Sequence, residues 1–155
     1  MKAYPGEVRV AFKHNPLGFH QNAMPAAKAA EAAGNQGKFW EMHDKIFENN
    51  KELSEDNYVK WAGEIGLDVE KFKKDMADPK LEARIKAQQA QGIKLGARGT
   101  PAFFINGRFL SGAQPVDNFK KVIHEEIAKV DKLIAQGTPK SKAYDATIAK
   151  GKDGV

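Results

Sequence analysis

The sequence predicts an α/β fold in which helices cover a small mixed sheet, and three patterns carry this prediction. Apolar and polar residues alternate over Glu7–His14, which is the period of a strand with one buried face. Residues 22 to 95 carry the spacing of successive amphipathic helices. Two short apolar runs flank Asn106-Gly107 and predict a hairpin, after which a long helix begins near Pro115. Helices layered on a small sheet form an α/β domain.

Composition limits the chemistry that this chain can perform. Its 155 residues are typical of one domain, and its apolar runs fall far short of the ~20 residues that a membrane-spanning helix needs. Residues Met1–Gly6 lack the apolar core of a signal peptide. Cysteine is absent, which excludes thiol catalysis, disulfides, iron–sulfur clusters and zinc-thiolate sites in this chain. We expect no cofactor and no metal.

The charge says more about solubility than about partners. The chain has 25 Lys and Arg residues against 20 Asp and Glu, a net charge of +5, which favours solubility and weak attraction to polyanions. No arginine cluster alternates with aromatic residues, and no nucleic-acid-binding module is evident. We therefore interpret the lysines as solvated helix faces and expect no nucleic-acid partner, with a basic nucleic-acid binder as the minor alternative.

Helix start and stop signals place five successive helices. Asn22 and Pro25 open an alanine-rich helix that ends near Gly34, and a second helix covers residues 38 to 50. Ser54 is suited to cap the third helix, where Leu53 and Tyr58 occupy the positions of a hydrophobic staple and Gly66 suits a left-handed stop. Asp68 is likewise suited to cap the fourth helix, with Leu67 and Phe72 as its hydrophobic staple pair. A fifth helix runs from Asp78-Pro79 to Gly96.

The strongest local signal is the hairpin of residues 102 to 111. Strands are predicted at Ala102–Ile105 and Arg108–Ser111, joined by an Asn-Gly type I′ turn. The first strand is apolar on both faces, so we expect helices to cover both sides of it. Phe103, Phe104 and Phe109 are accordingly predicted to be core residues, with an apolar peptide groove as the alternative role of Phe109.

The last helix and the tail complete the predicted elements. Apolar residues recur every three or four positions from Val116 to Ile134, and Gly137 and Pro139 end the helix. The tail, residues 137–155, is polar apart from Tyr144 and Ile148 and is predicted to be frayed or loosely docked. The first strand reaches the hairpin through about 90 residues, which indicates a parallel, right-handed relation or no direct pairing.

Several motifs together resemble one family. They are GTPAFFING at Gly99–Gly107, FKHNPL at Phe12–Leu17, NAMPAA at Asn22–Ala27 and GKFWEMH at Gly37–His43. The first is similar to the cis-proline loop and following hairpin of thioredoxin-fold proteins of the DsbA type, and the others match that branch over residues 3 to 135. The resemblance implies a thioredoxin-like domain over residues 1–136 with a helical insertion at about 22–95, followed by the tail 137–155.

The chain departs from the family at its first residues. DsbA-type domains begin with a strand and a Cys-x-x-Cys motif at the start of a long helix, and Met1–Tyr4 resembles the last turn of that helix. The strand, both cysteines and most of the helix have no counterpart in this sequence. Because the family's cysteine thiolate attacks disulfides, we expect this chain to be redox-inactive by itself and to be a truncated portion of a thiol–disulfide oxidoreductase domain.

The resemblance also implies a vacant position in the sheet, between the strands of residues 7–14 and 102–105. Roughly four backbone groups on each of two edges would then lack partners, at ~1–3 kcal/mol for each group that stays buried. That cost rivals the ~5–15 kcal/mol that stabilises a whole domain. The two strands therefore move together, another chain supplies a strand, or this chain is one piece of a longer protein.

The candidate site is the loop of Arg98, Gly99, Thr100 and Pro101. The resemblance implies that the Thr100–Pro101 bond is cis and that the backbone of Thr100 pairs with an extended peptide substrate, a form of strand addition. The expected partners are extended peptides or proteins, with a homodimer or a strand-donating chain as the alternative. The alternative function is a non-catalytic peptide-binding or dimerisation module. The family points to the periplasm or cell envelope.

The histidines offer weaker candidate sites. His43 lies on a predicted helix with Trp40 and Asp44, and we interpret it as a locally hydrogen-bonded residue before a base or metal ligand. His14 and His20 flank a turn without a third ligand type nearby, so a structural role is favoured over a metal site. His124 lies among charged residues of the last helix and is predicted to be on the surface.

Overall fold

The structure is a computed structural model, and it describes residues 4–149 of the chain. The described part forms seven α-helices, one short 3₁₀ helix and two strands. In chain order they are α1 Ala23–Gly34, α2 Phe39–Glu48, α3 Glu55–Glu64, α4 Val69–Ala77, α5 Pro79–Lys94, β1 Ala102–Ile105, β2 Arg108–Ser111, α6 Val116–Ala135, the 3₁₀ helix Lys140–Lys142 and α7 Ala143–Ile148. Within residues 4–149, no helix combines the length and the apolar character that crossing a membrane requires.

Contacts divide the chain into two compact units. The helical unit is Lys13–Gln91, and its apolar core is built by α1, α3 and α4 with contributions from α2 and α5. The alanine-rich face of α1 packs closely because its side chains are small. Phe72, Met42, Tyr58 and Ile85 are the largest fully buried side chains.

The predicted caps of α3 and α4 are confirmed, whereas Asn22 before α1 makes no side-chain capping bond. The Ser54 hydroxyl accepts a hydrogen bond from the Asn57 backbone N–H at 3.3 Å, and the Asp68 carboxylate accepts one from the Lys71 N–H at 2.9 Å. Helix α3 is followed two residues after Glu64 by Gly66, whose φ is +77°. The Leu67 N–H then bonds to the Ala62 carbonyl at 2.9 Å. This geometry is a Schellman stop, in which glycine adopts the left-handed conformation at no steric cost.

The second unit, which we call the hairpin unit, is Met1–Phe12 together with Gly92–Val155. Strands β1 and β2 pair antiparallel, and Ala102 lies opposite Ser111 and Ile105 opposite Arg108. The turn between them is the predicted type I′ turn: Asn106 has a φ of +47° and Gly107 one of +85°. Both strand boundaries agree with the sequence prediction.

The predicted strand at Glu7–His14 is wrong, because no strand is present there in the structure. The sheet of the described residues contains β1 and β2 alone and is antiparallel rather than mixed. Val10 and Phe12, which the alternation assigned to a buried face, are 54% and 40% exposed. A period of two makes a segment compatible with a sheet, but a strand forms only where a neighbouring strand pairs its backbone groups. Of the three outcomes expected for the vacant position, movement of these strands into direct pairing is excluded here.

The expectation that Phe103, Phe104 and Phe109 are core residues is also wrong. They are 36%, 40% and 46% exposed. Helix α6 contacts β1, so the hairpin is covered on one face, whereas burial of both faces needs a second layer. In the described part of the hairpin unit the buried apolar residues are few, namely Ala97, Val122 and Ala143.

Of the two states predicted for the tail after α6, frayed or loosely docked, the described part shows docking. Gly137 has a φ of +96°, and the Thr138 N–H bonds to the Leu133 carbonyl at 3.0 Å, which closes α6 with a second Schellman stop. Helix α7 contacts α6, and Ala143 at its start is 3% exposed. The predicted tail therefore docks through α7 as far as it is described. Its residues 150–155 and the predicted helix turn at residues 1–3 lie outside the described residues.

Candidate functional site

The candidate loop begins where α5 ends. Gly96 has a φ of +97°, and the Ala97 N–H donates to the Gly92 carbonyl at 2.9 Å. The Arg98 N–H donates to the Gly96 carbonyl at the same distance. These bonds reverse the chain direction within a few residues. They place residues 98–101 immediately before β1 and fix the start of the loop to the helix end.

The loop ends in a cis peptide bond between Thr100 and Pro101. The Pro101 carbonyl accepts a hydrogen bond from the Gly112 N–H at 2.8 Å, which continues the hairpin ladder by one step beyond Ala102. Arg98, Gly99, Thr100 and Pro101 are all exposed. Within residues 4–149, the main-chain N–H and C=O of Thr100 form no hydrogen bond. The structure therefore brings the four predicted site residues together on one accessible loop.

The loop continues into a strand with a free edge. Among the described residues β1 pairs with β2 and with no other strand, so no described strand pairs with the backbone groups of its second edge. An unpaired edge of this kind is the template on which an extended peptide adds as a further strand. Thr100 lies at the N-terminal end of that edge.

The two faces of the hairpin differ in what they contact. Opposed residues of an antiparallel pair share a face, so Phe103 and Leu110 point to one side, and Phe104 and Phe109 to the other. The Phe103 ring meets the Phe119 ring of α6 edge-to-face, with centroids 4.7 Å apart. The rings of Phe104 and Phe109 lie 5.1 Å apart on the face away from α6. We call these two residues the outer aromatic pair.

A charged network fixes the hairpin to α6. The Arg108 guanidinium on β2 donates to the carboxylates of Glu125 and Glu126, and Lys129 bonds to Glu126 at 2.6 Å. Glu126 is 3% exposed, and a carboxylate so deeply buried requires compensating cations. The hydrogen bond from Arg108 holds the pKa of Glu125 below its ordinary value, and the same bond is the main cause that raises the pKa of Arg108. These ion pairs therefore hold the hairpin in a fixed position against α6.

The histidines occupy structural positions. His14 is 6% exposed in the helical unit, with its Nε2 3.3 Å from Glu31 Oε1. Burial lowers its pKa from the ordinary 6.5, and the neighbouring Glu31 opposes that shift. His43 contacts Asp44 at 2.9 Å, His20 packs against Phe19, and His124 contacts the Tyr4 hydroxyl at 3.1 Å. No group of three or more His, Asp or Glu side chains among residues 4–149 is arranged to hold a metal ion.

The sequence reasoning missed the outer aromatic pair as a surface feature. The signal was available, because the first strand is apolar on both faces while the chain offers one helix after the hairpin to cover it. We read that signal as burial within this chain. The structure leaves the pair beside the free edge of β1, where it adds apolar contact area to the backbone groups of the candidate site.

Comparisons with known proteins agree on the kind of domain. A family model described as "DSBA-like thioredoxin domain" matches residues 3–124. A crystal structure of a thioredoxin-like oxidoreductase from Silicibacter pomeroyi DSS-3 is similar with a TM-score of 0.65 and 28% sequence identity, over 73% of this chain and 65% of that one.

Curated relatives carry the name of a transporter. The Na(+)/H(+) antiporter NhaA of Herminiimonas arsenicoxydans is 37% identical over 114 residues, which are 73% of this chain and 18% of that protein. NhaA 1 of Salinispora arenicola is 37% identical over 123 residues, 78% of this chain and 19% of that protein. The chain spans about a fifth of the length of these curated relatives.

Proposed function

Because this chain belongs to the DsbA-like thioredoxin domain family, we propose that it is the peptide-binding portion of a thiol–disulfide oxidoreductase domain. Its fold is thioredoxin-like. In this proposal the loop Arg98–Pro101 and the free edge of β1 hold an extended polypeptide substrate. The cysteines that exchange disulfides belong to a different stretch of polypeptide, since this chain contains no sulfur nucleophile.

In this proposal the cysteine-bearing stretch of polypeptide exchanges disulfides, and this chain binds the substrate. A cysteine thiolate attacks a substrate disulfide, forms a mixed disulfide and releases a substrate thiolate, and a second cysteine then resolves the mixed disulfide. Serine and histidine do not substitute, because neither forms a reversible bond to sulfur. This chain contributes the orientation of the substrate: backbone pairing along Thr100 and β1 fixes the direction of the bound peptide.

One observation carries the proposal. The main chain of Thr100 forms no hydrogen bond within residues 4–149, and it lies on an exposed loop at the end of an unpaired strand edge. The outer aromatic pair beside this edge supports the same interpretation, because apolar side chains next to a strand edge supply contact area for alternate side chains of an added strand.

Fragment complementation tests the proposal. The chain is mixed with a synthetic peptide that carries a strand followed by a Cys-x-x-Cys helix of the family type, and insulin reduction is measured. We expect turnover above that of the peptide alone, and none with a Ser-x-x-Ser peptide as the matched control. Absence of both a complex and a rate increase would argue against a thiol–disulfide role.

A non-catalytic binding or dimerisation module is the second candidate. The lack of cysteine together with the free edge of β1 favours it. Here the edge captures a strand from a partner, or from a second copy, without any redox step. Light scattering distinguishes the cases: a stable dimer of the isolated chain supports this module, whereas a monomer that gains activity with the cysteine peptide supports the first proposal.

The curated relatives place such a domain within much longer proteins. Their antiporter name describes chains of which this one matches about a fifth, so we propose no ion transport for the chain itself. We propose that it works in the cell envelope, where disulfides form and persist.

A further inference from the structure

A cleft of about 380 Å³ lies in the helical unit, among residues that the proposed function does not use. Helices α1, α3, α4 and α5 all contribute to its lining. Met24 and Pro25 of α1 and Met76 and Ala77 of α4 form apolar walls. Methionine side chains adapt to ligands of different shape. The volume is within the range of small-molecule sites, which are mostly apolar with a few placed polar groups.

Tyr58 is the polar group that this cleft leaves unsatisfied. It is one of the residues that line the cleft and is 1% exposed, and its buried hydroxyl forms no hydrogen bond with any described residue. Burial raises its pKa to about 12, so at neutral pH the phenol keeps a hydrogen to donate. Buried hydroxyls are nearly always paired. An acceptor atom that enters the cleft would therefore recover a hydrogen bond that the protein alone does not make.

Two of the four charged side chains that line the cleft have ion-pair partners among the described residues. Lys73 bonds to Glu70 at 2.9 Å, and Glu82 bonds to Lys86 at 2.7 Å. Glu55 lies in the first turn of α3, where the helix dipole favours a negative charge.

Lys28 is the exception among the cations that line the cleft. It forms no ion pair with any residue in the described range. The pKa of Glu82 is lowered mainly by its hydrogen bond to Lys86, and the charge of Lys28 lowers it slightly further. Lys28 therefore lies near Glu82 in the lining of the cleft. The cleft therefore offers one uncommitted cation and one buried hydroxyl donor, and both complement an anion.

We propose that this cleft binds a carboxylate carried on a short aliphatic chain. The Tyr58 hydroxyl donates to one carboxylate oxygen, and the Lys28 ammonium neutralises the charge. The methionine walls hold the aliphatic part, which favours such a ligand over a wholly hydrophilic anion such as inorganic phosphate. A free carboxylic acid and the C-terminal leucine of a peptide share this chemistry.

An NMR titration of the full chain with 4-methylpentanoate tests the site. We expect saturable amide shifts on α1 around Lys28 and on α3 around Tyr58. The neutral amide of the same acid is expected to bind at least tenfold more weakly, because it lacks the charge that Lys28 meets. Acetyl-Ala-Leu distinguishes the sources: binding tighter than that of the free acid assigns the site to peptide C-termini. Equal binding of acid and amide would overturn the proposal.

Two variants separate this site from a water-filled surface depression. Tyr58→Phe removes one oxygen and keeps the ring, so the fold is expected to persist while Kd rises about five- to tenfold. Lys28→Met is expected to abolish the preference for acid over amide. Lys74→Met on α4, outside the cleft lining, is the matched control and should leave Kd unchanged. An unaltered Kd in Tyr58→Phe, with thermal melting showing a folded chain, would refute the assignment.

Discussion

Phe104 and Phe109 face each other across the hairpin with ring centroids 5.1 Å apart, on the side that α6 does not cover. Both are large apolar side chains with 40% or more of their surface exposed. Contiguous exposed apolar surface next to a free strand edge is a feature of interaction sites. The relationship therefore links the hairpin geometry to the binding role that we propose for the loop at Thr100.

Replacing the outer aromatic pair tests this link. Phe104→Thr with Phe109→Thr keeps β-propensity but removes both rings, so we expect a loss of only about 1 kcal/mol in the free energy of unfolding. Fluorescence of an apolar dye such as anilinonaphthalene sulfonate should fall, and complementation by the cysteine peptide should weaken. Val116→Thr, at a residue that is 67% exposed on α6, is the control. A dye signal lost in that control and kept in the double variant would contradict the assignment.

The elements that could be predicted from the sequence are those with local causes. Ser54 and Asp68 cap their helices through atoms three residues away, and Asn106-Gly107 turns the chain within two residues. The segment around Val10 failed as a strand because pairing depends on a neighbour elsewhere. Phe104 was misplaced for a similar reason: an apolar strand indicates that its residues favour burial, but it does not say which element covers them.

The candidate site and the cleft also combine features that local sequence predicts with features that depend on distant neighbours. The loop at Thr100 was found through a motif, and no periodicity would have selected it. Tyr58 is predicted as an apolar staple residue of the third helix, since that position follows from its local spacing to Ser54, and it is buried in the structure. Its unsatisfied hydroxyl could not be predicted, because it depends on which side chains of α1 and α4 face the phenol in three dimensions.

The core of the helical unit provides a stability test with a matched pair. Phe72 is fully buried on α4, whereas Phe47 on α2 is 63% exposed. Phe72→Ala removes a filled volume among close-packed helices, and we expect a loss of about 3–5 kcal/mol in the free energy of unfolding, measured by urea denaturation. Phe47→Ala is expected to cost less than about 1 kcal/mol. Equal losses would mean that the helices are not packed as described.

Capping at Asp68 is expected to contribute measurably to stability. Asp68→Ala removes the acceptor of the Lys71 N–H and leaves that donor unpaired at the start of α4. We expect a loss of about 1 kcal/mol, seen as a lower melting temperature. Asp68→Asn is the matched control, because asparagine caps nearly as well. A melting temperature as low in Asp68→Asn as in Asp68→Ala would show that the cap is not the source of the effect.

Buried His14 predicts a pH dependence of stability with a defined sign. Burial lowers its pKa in the folded chain, against the opposing charge of Glu31 and with help from Arg84 and His43. The unfolded chain therefore binds a proton at His14 more readily, so stability is fully present above the unfolded pKa of 6.5 and is lost as the pH falls through the lower folded value.

Urea denaturation between about pH 8 and 5.5 should show this decline in the native chain. His14→Gln should flatten it, whereas His20→Gln, at an exposed histidine, should leave it unchanged. If stability instead rises as the pH falls through this range, His14 is protonated in the folded state and its contact with Glu31, 3.3 Å away, outweighs the cost of burial.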